Sequence, residues 1–327
     1  MANQQQTVRL TPDQLQTVQS LTAILMPFAS EKMSKARQIG ARFVHYTSAA
    51  GGLGIINSKQ IWMRNVTTMS DYSEVQHGYR MINEHPNTQV LLNTLNRVVR
   101  GSGDEAVALF QRWWQNIQLG TFSTSISEHR DTEDQHGRLS MWRAFGGGAA
   151  RVALVLKIPL EPGIAQGVGL SMSPVSYYST DQLGAELASV AKNIETNAAY
   201  LRETGRQMVV ASAFATLMMR VICLKHEGFH EEVEWRITYS PTLTASPLME
   251  SVVEIIGGIP QKVFKIPLGG GNGPLQHIAF PKLLDRVIVG PSSYPWAQYE
   301  AYVDALQRAG VADAGERVFV SGLPIRV

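Results

Sequence analysis

Three short runs of side chains in this sequence carry groups that could do chemistry together. His45-Tyr46-Thr47 closes an apolar stretch just before Gly51-Gly52-Leu53-Gly54, which sets an imidazole, a phenol and a hydroxyl beside a turn. Ser123, Ser125 and Ser127 alternate within 122–127, so a strand there presents three hydroxyls on one face. Glu232 and Glu234 stand two apart where the alternating run Val233-Glu234-Trp235-Arg236-Ile237-Thr238-Tyr239 begins. Alternation predicts both carboxylates on one side of a half-buried strand. Two carboxylates so placed repel each other, and in a dry site one is expected to keep its proton to unusually high pH. Each run also has an ordinary reading: a structural histidine, a solvated hydroxyl face, a charged sheet face.

Other motifs point to less. His226-Glu227-Gly228-Phe229-His230 fits a zinc-hydrolase pattern, which needs both histidines one turn apart on a stable helix. Gly228 interrupts it and strand-like alternation starts right after His230, so the segment reads as a helix end passing into a strand. The glycine clusters at 146–148 and 269–273 lack the lysine and hydroxyl, or the following helix, of a phosphate cradle. Cys223 is the single cysteine and lies in an apolar run, which predicts a buried core thiol and excludes an intramolecular disulfide.

The elements that must position these groups are legible in outline. Thr11-Pro12-Asp13 opens a helix, with Leu15, Val18, Leu21 and Leu25 at helical spacing. Strands are expected over 41–47, 61–63, 122–127, 152–158, 233–239, 287–290 and 317–321. Helices are expected near 86–100, 104–118, 181–204, 208–224 and 295–309, with a short one after the glycine turn at 51–54. The charged segment 128–138 reads as an exposed loop, and 269–274 as a flexible one. Trp113 and Trp114 are adjacent, so a single narrow apolar stripe cannot hold both.

Of the 327 residues, 44% are hydrophobic and 17% charged, enough to bury a large core. With 29 basic against 27 acidic residues, composition gives no argument for a nucleic-acid partner. The start lacks a signal-peptide design and no apolar run reaches about 18 residues, so a cytoplasmic protein without a membrane partner is expected, or an effector exported by a dedicated machine. No repeat or linker is visible. The simplest architecture is α+β, with a helical N-terminal extension over 1–40 and one domain over 41–327.

Taken in order, the chain resembles a widespread bacterial family, domain-of-unknown-function family 2971. The resemblance rests on His45-Tyr46-Thr47, Ile61-Trp62, Met69-Ser70-Asp71-Tyr72 with Glu74, and Ser125-Ile126-Ser127-Glu128. It continues through 139–146 with Trp142 and Arg143, then Lys225-His226 with Phe229, Glu232, Glu234, Trp235 and Arg236. It ends with Val289-Gly290-Pro291 and Ser321, Pro324 and Arg326. A looser similarity runs to ADP-ribosyltransferases, which pair a first-strand His or Arg with a middle-strand Ser or Thr and a late-strand Glu.

That second resemblance implies a split β-sheet core with flanking helices and NAD as substrate, with no metal. It implies that His45 bonds ribose and phosphate groups, that Tyr46 and Thr47 shape the nicotinamide side, and that Ser123 and Ser125 support the cofactor and the acidic strand. Ser127 and Glu128 would line the rim, with Trp142 as a stacking surface and Arg143 as a phosphate contact. Glu234 would steady the positive charge as nicotinamide leaves and Glu232 would act as general base, the choice between the two staying open. The implied activity is transfer of ADP-ribose to a protein or nucleic acid, or hydrolysis of NAD, in a toxin, effector or phage-defence role that can carry a cognate inhibitor. The alternatives are a non-catalytic nucleotide or nucleic-acid sensor, and a zinc-dependent hydrolase using His226 and His230.

Overall fold

A computed structural model describes residues 11–68, 73–144 and 150–324. The strands are β1 (Arg42–Ser48), β2 (Gln60–Asn65), β3 (Phe122–His129), β4 (Arg151–Leu156), β5 (Ser171–Pro174), β6 (Ser176–Tyr177), β7 (Leu224–Lys225), β8 (Glu234–Tyr239), β9 (Glu250–Ile256), β10 (Ile259–Pro267), β11 (Leu284–Val289) and β12 (Val318–Val320). The main sheet runs β12-β11-β4-β1-β3-β2-β10-β9, and β8 pairs with β3 and β5 beside that path. Pairing within this sheet is antiparallel except between β11 and β12, and β6 and β7 form a separate parallel pair. The architecture is mixed α+β.

The sheet forks at β3. β1 pairs with it only over Arg42–Val44 against Ser127–His129, and β2 only over Arg64–Asn65 against Phe122–Ser123. Between those contacts, no strand among the described residues pairs with 124–126 on that side. The helix Ala49–Ser58, which joins β1 to β2, lies along the opening. Its N-terminus is capped by the Ser48 hydroxyl, which accepts from the Gly51 amide at 3.0 Å.

Gly54 sits inside this helix, and a Cβ there would meet nothing within 4 Å. Gly54→Ala removes backbone freedom from the unfolded chain without a clash. It is expected to stabilise the protein by about 0.5–1 kcal/mol, read as a higher urea midpoint at unchanged slope.

The first helix, Pro12–Leu25, has the expected cap: Thr11 and Gln14 satisfy each other's backbone in a capping box. Its Leu21, Ile24 and Leu25 enter one apolar cluster with Leu95, Val190, Ile194, Leu201 and Val209. A second helix, Pro27–Gln38, fills the basic stretch before β1, and a further helix covers Ser73–Glu84. Cys223 is buried, and burial pushes its thiol up to about 12. Trp113 and Trp114 both lie half-buried against the helical core, where Tyr79 packs on Trp114 at 4.1 Å.

The segment 128–138 is exposed at Arg130, Asp131, Thr132, Gln135 and His136, as expected of a loop, but not throughout. His129 is buried and bonds Asp134 at 2.8 Å, and Arg138 grips Glu133 at 2.8 Å. Its charges pair with one another, so polarity there does not mean solvent exposure. The loop expected at 269–274 is irregular up to Asn272, where a short 3-10 turn, Gly273–His277, begins.

Candidate functional site

The fork opens into a cleft of about 1160 Å³. His45, Thr47, Ser123, Ser125, Ser127, Glu232 and Glu234 all line it, so residues far apart in the chain share one wall. Lys225, Arg236, Glu74, Phe229, Trp62, Arg64 and Lys265 join them there.

Its chemical centre is Glu234, 4% exposed, at the first position of β8. Ser125 Oγ donates to Oε1 at 2.5 Å and Arg236 Nε to the same oxygen at 2.9 Å. Lys225 Nζ lies 3.4 Å from Oε2. Lys225 also pairs with Glu74 at 2.8 Å and Glu232 at 2.6 Å, while Arg236 closes the ring by a second ion pair to Glu74. Three carboxylates thus share two cations.

The two acids of the pair are driven apart. Burial opposes ionisation of Glu234, but Arg236, Lys225 and the Ser125 hydroxyl together outweigh it and hold its pKa down to about 2. Glu232 goes the other way: its own burial, with the neighbouring charges of Glu234 and Glu74, raises it against the opposing pull of Lys225. A fixed anion beside a carboxyl that takes a proton more readily is an arrangement for charge stabilisation next to proton transfer. Lys225 and Arg236 stay protonated, because the neighbouring carboxylates overcome the burial of each.

The convergence of the two acids does not come from strand alternation. β8 begins at Glu234, Glu232 ends a 3-10 helix (Glu227–Glu232), and Val233 between them has φ 44°. A β-branched residue in the left-handed region is strained, and such strain persists only where neighbours over-determine it. Arg138 supplies much of that hold. Its guanidinium donates to the carbonyls of Glu231 at 3.0 Å, Glu232 at 2.8 Å and Glu128 at 2.6 Å. Tyr177 accepts the Glu234 amide at 2.8 Å.

His45 bridges the fork. Its Nδ1 lies 2.9 Å from the Ser125 carbonyl, which can only accept, so Nδ1 carries the proton. Burial lowers its pKa by more than that bond raises it, and the ring is neutral. Its remaining nitrogen, Nε2, is an acceptor suited to a hydroxyl. It cannot donate to a phosphate, which corrects that half of the expected role.

Four other expectations need correction. Tyr46 belongs to the cleft lining, but its side chain alternates with that of His45 and turns to the opposite face, where it packs edge-on against Trp142 at 4.9 Å and its hydroxyl accepts the Arg138 amide at 2.7 Å. Trp142 is 0% exposed, with Nε1 donating to the His136 carbonyl at 2.7 Å, so no face is left for a ligand to stack on. Arg143 is exposed and lies outside the cleft lining. Glu128 turns to the far face, bonding Trp235 Nε1 at 2.8 Å, because its alternation is opposite to that of Ser127. Ser123 keeps a structural part, donating to the Ile237 carbonyl of β8 at 3.1 Å.

Lys225, Glu74 and Arg138 are site residues that residue types and spacing did not single out. The zinc-like string forms the 3-10 helix, where residues four apart are about a third of a turn out of line. His226 Nδ1 accepts the Gly228 amide at 3.1 Å and His230 Nδ1 donates to the Glu227 carbonyl at 3.0 Å, so each ring serves its own turn. Met69, Ser70, Asp71, Tyr72, Phe145, Gly146 and Arg326 lie outside the described residues. Among those described, no helix is long and apolar enough to cross a membrane.

Comparison of the chain with protein-family models, with curated proteins and with solved structures finds no match. The chemistry of the cleft is therefore the basis for a functional reading.

Proposed function

We propose that this protein cleaves the glycosidic bond of NAD and passes the ADP-ribose to a macromolecular acceptor or to water. The observation that carries the reading is the meeting of His45, Ser125, Glu232 and Glu234 in one cleft, with Glu234 fixed as an anion. In this reaction the bond from ribose C1′ to the nicotinamide nitrogen breaks and its electron pair leaves with the neutral nicotinamide. The positive charge left on the ribose is stabilised by Glu234, whose orientation is set before substrate arrives. Glu232 takes the proton of the attacking hydroxyl as the new C1′–O bond forms. His45 Nε2 accepts a ribose hydroxyl, and Phe229, exposed beside Lys225, offers the nicotinamide a ring to stack on.

A second reading is a nucleotide-binding module without turnover. It is favoured by one feature: both oxygens of Glu234 already have partners in Ser125, Arg236 and Lys225. Incubation of the purified protein with NAD, with and without cell lysate, separates the two. Release of free nicotinamide is expected. NAD binding with no nicotinamide released under either condition would instead establish the binding module.

A further inference from the structure

We propose that the wall of the cleft built by β2 and β10 is a nucleobase-and-phosphate subsite, with Trp62 stacking the base and Arg64 holding the phosphate. The inference rests on the cleft being a nucleotide site but not on its being catalytic.

Alternation on β2 sends Ile61 and Met63 into the core and turns Gln60, Trp62 and Arg64 toward the cleft. Trp142 and Trp235 are fully buried, whereas Trp62 is 39% exposed although it belongs to a central strand pair. Its ring is held in place: Lys265, directly opposite in register, has its Nζ 5.4 Å from the ring centroid and is itself tied to Glu254 at 2.8 Å. An indole with its position fixed and part of its surface open is a stacking platform for a planar base.

Arg64 supplies the second half of the argument. Gln261 accepts from its Nε at 3.2 Å and Thr68 O from its Nη2 at 2.6 Å, which fix the guanidinium plane. Among the described residues, no carboxylate lies within ion-pair distance of it and Nη1 has no partner. Every other cation of the cleft, Lys225, Arg236 and Lys265, has a carboxylate partner. A half-buried guanidinium without a counter-ion among the described residues, two residues along the same face from an open indole, fits a nucleoside phosphate. The cleft also exceeds the roughly 300–1,000 Å³ that one small ligand usually occupies, so this wall can be filled while the acidic wall is occupied.

The base and phosphate have two sources: the adenylate half of NAD, or one nucleotide of a single-stranded acceptor. Equilibrium binding of adenosine monophosphate, of NAD and of a short fluorescein-labelled single-stranded oligonucleotide tests the proposal and separates them. Trp62→Ala is expected to weaken adenosine monophosphate about 5- to 150-fold, the range of one base–aromatic stack, and Trp62→Phe to retain most of the affinity. Arg64→Gln is expected to weaken adenosine monophosphate while leaving adenosine unchanged. A parallel loss with NAD identifies its adenylate half; a parallel loss with the oligonucleotide but not with NAD identifies an acceptor strand.

The proposal fails if the wild type binds none of the three, or if Trp62→Ala and Arg64→Gln bind all of them as the wild type does. Melting temperatures of the variants provide the folding control, and Arg64→Gln keeps the test open should the alanine variant unfold. Binding through Trp62 with no release of nicotinamide would sink the transfer reaction and leave this subsite standing.

Discussion

Arg236→Met is expected to cost about 3–5 kcal/mol of stability at neutral pH, because it leaves the buried Glu74 and Glu234 with Lys225 alone, a cation that Glu232 also shares. Glu234 is 4% exposed and Arg236 1%, so solvent cannot take over the lost partner. The penalty should depend on pH, with a sign fixed by the direction of the shift. The pKa of Glu234 falls from 4.5 to about 2 on folding, so its contribution is fully present above about pH 4.5 and is lost as pH falls toward 2. Without Arg236 that carboxyl titrates at higher pH and gains protonated, less costly states. The gap between wild type and variant, read from urea midpoints, should be widest near pH 7 and narrow in acid. A deficit below about 1 kcal/mol at pH 7 would mean that the charges are not held as a buried network.

A companion variant says what the network is for. Replacing Glu74, Glu234 and Arg236 together by apolar residues of similar size removes three buried charges and leaves Lys225 paired with Glu232. Such replacements are often neutral or stabilising, so most of the loss should be recovered. A cluster that stability does not require, sited on the wall of the cleft, is better explained by the chemistry it prepares.

Much of this was legible in the sequence, for local reasons. The capping box at Thr11, the strands at 42–48, 122–129 and 234–239 and the helices carrying Phe110 and Leu217 all follow from caps and periods that act within a few residues. The β9–β10 hairpin is different. Its turn, Gly257-Gly258, has φ 59° and 80°, the two left-handed positions of a tight hairpin, and the dipeptide between alternating runs was a readable signal that the reading passed over.

What no local pattern holds is partnership. Lys225 and Glu74 belong to the stretches that carry the family resemblance, but no local pattern gives them a role, and they acquire it only when the helix Ser73–Glu84 packs beside β7. Trp142 and Arg143 failed as ligand contacts because a short helix, Leu139–Ala144, turns the tryptophan under β1 and the arginine to solvent. The pairing of Glu232 with Glu234 was anticipated through the wrong geometry: a left-handed Val233 and a shared lysine bring together what alternation was expected to align.

That geometry divides the labour between the two acids, and the division is the sharpest consequence of the proposed reaction. Glu234→Gln removes the fixed anion facing the developing ribose charge while preserving size and much of the hydrogen bonding. Nicotinamide release is expected to fall by about 10²–10³-fold or more, the scale of losing one pre-aimed electrostatic group. Because wild-type Glu234 is already ionised at any pH above about 2, its loss should lower the whole pH–rate profile without moving it. Glu232 is the group whose protonation falls within reach of the assay, since burial raises it above the ordinary carboxyl value. The rate in wild type should rise with pH as Glu232 gives up its proton, and Glu232→Gln should erase that acid limb along with transfer to the acceptor. An acid limb that survives in Glu232→Gln and vanishes in Glu234→Gln would reverse the two assignments. Unchanged rates in both variants would remove the carboxylate pair from the reaction altogether.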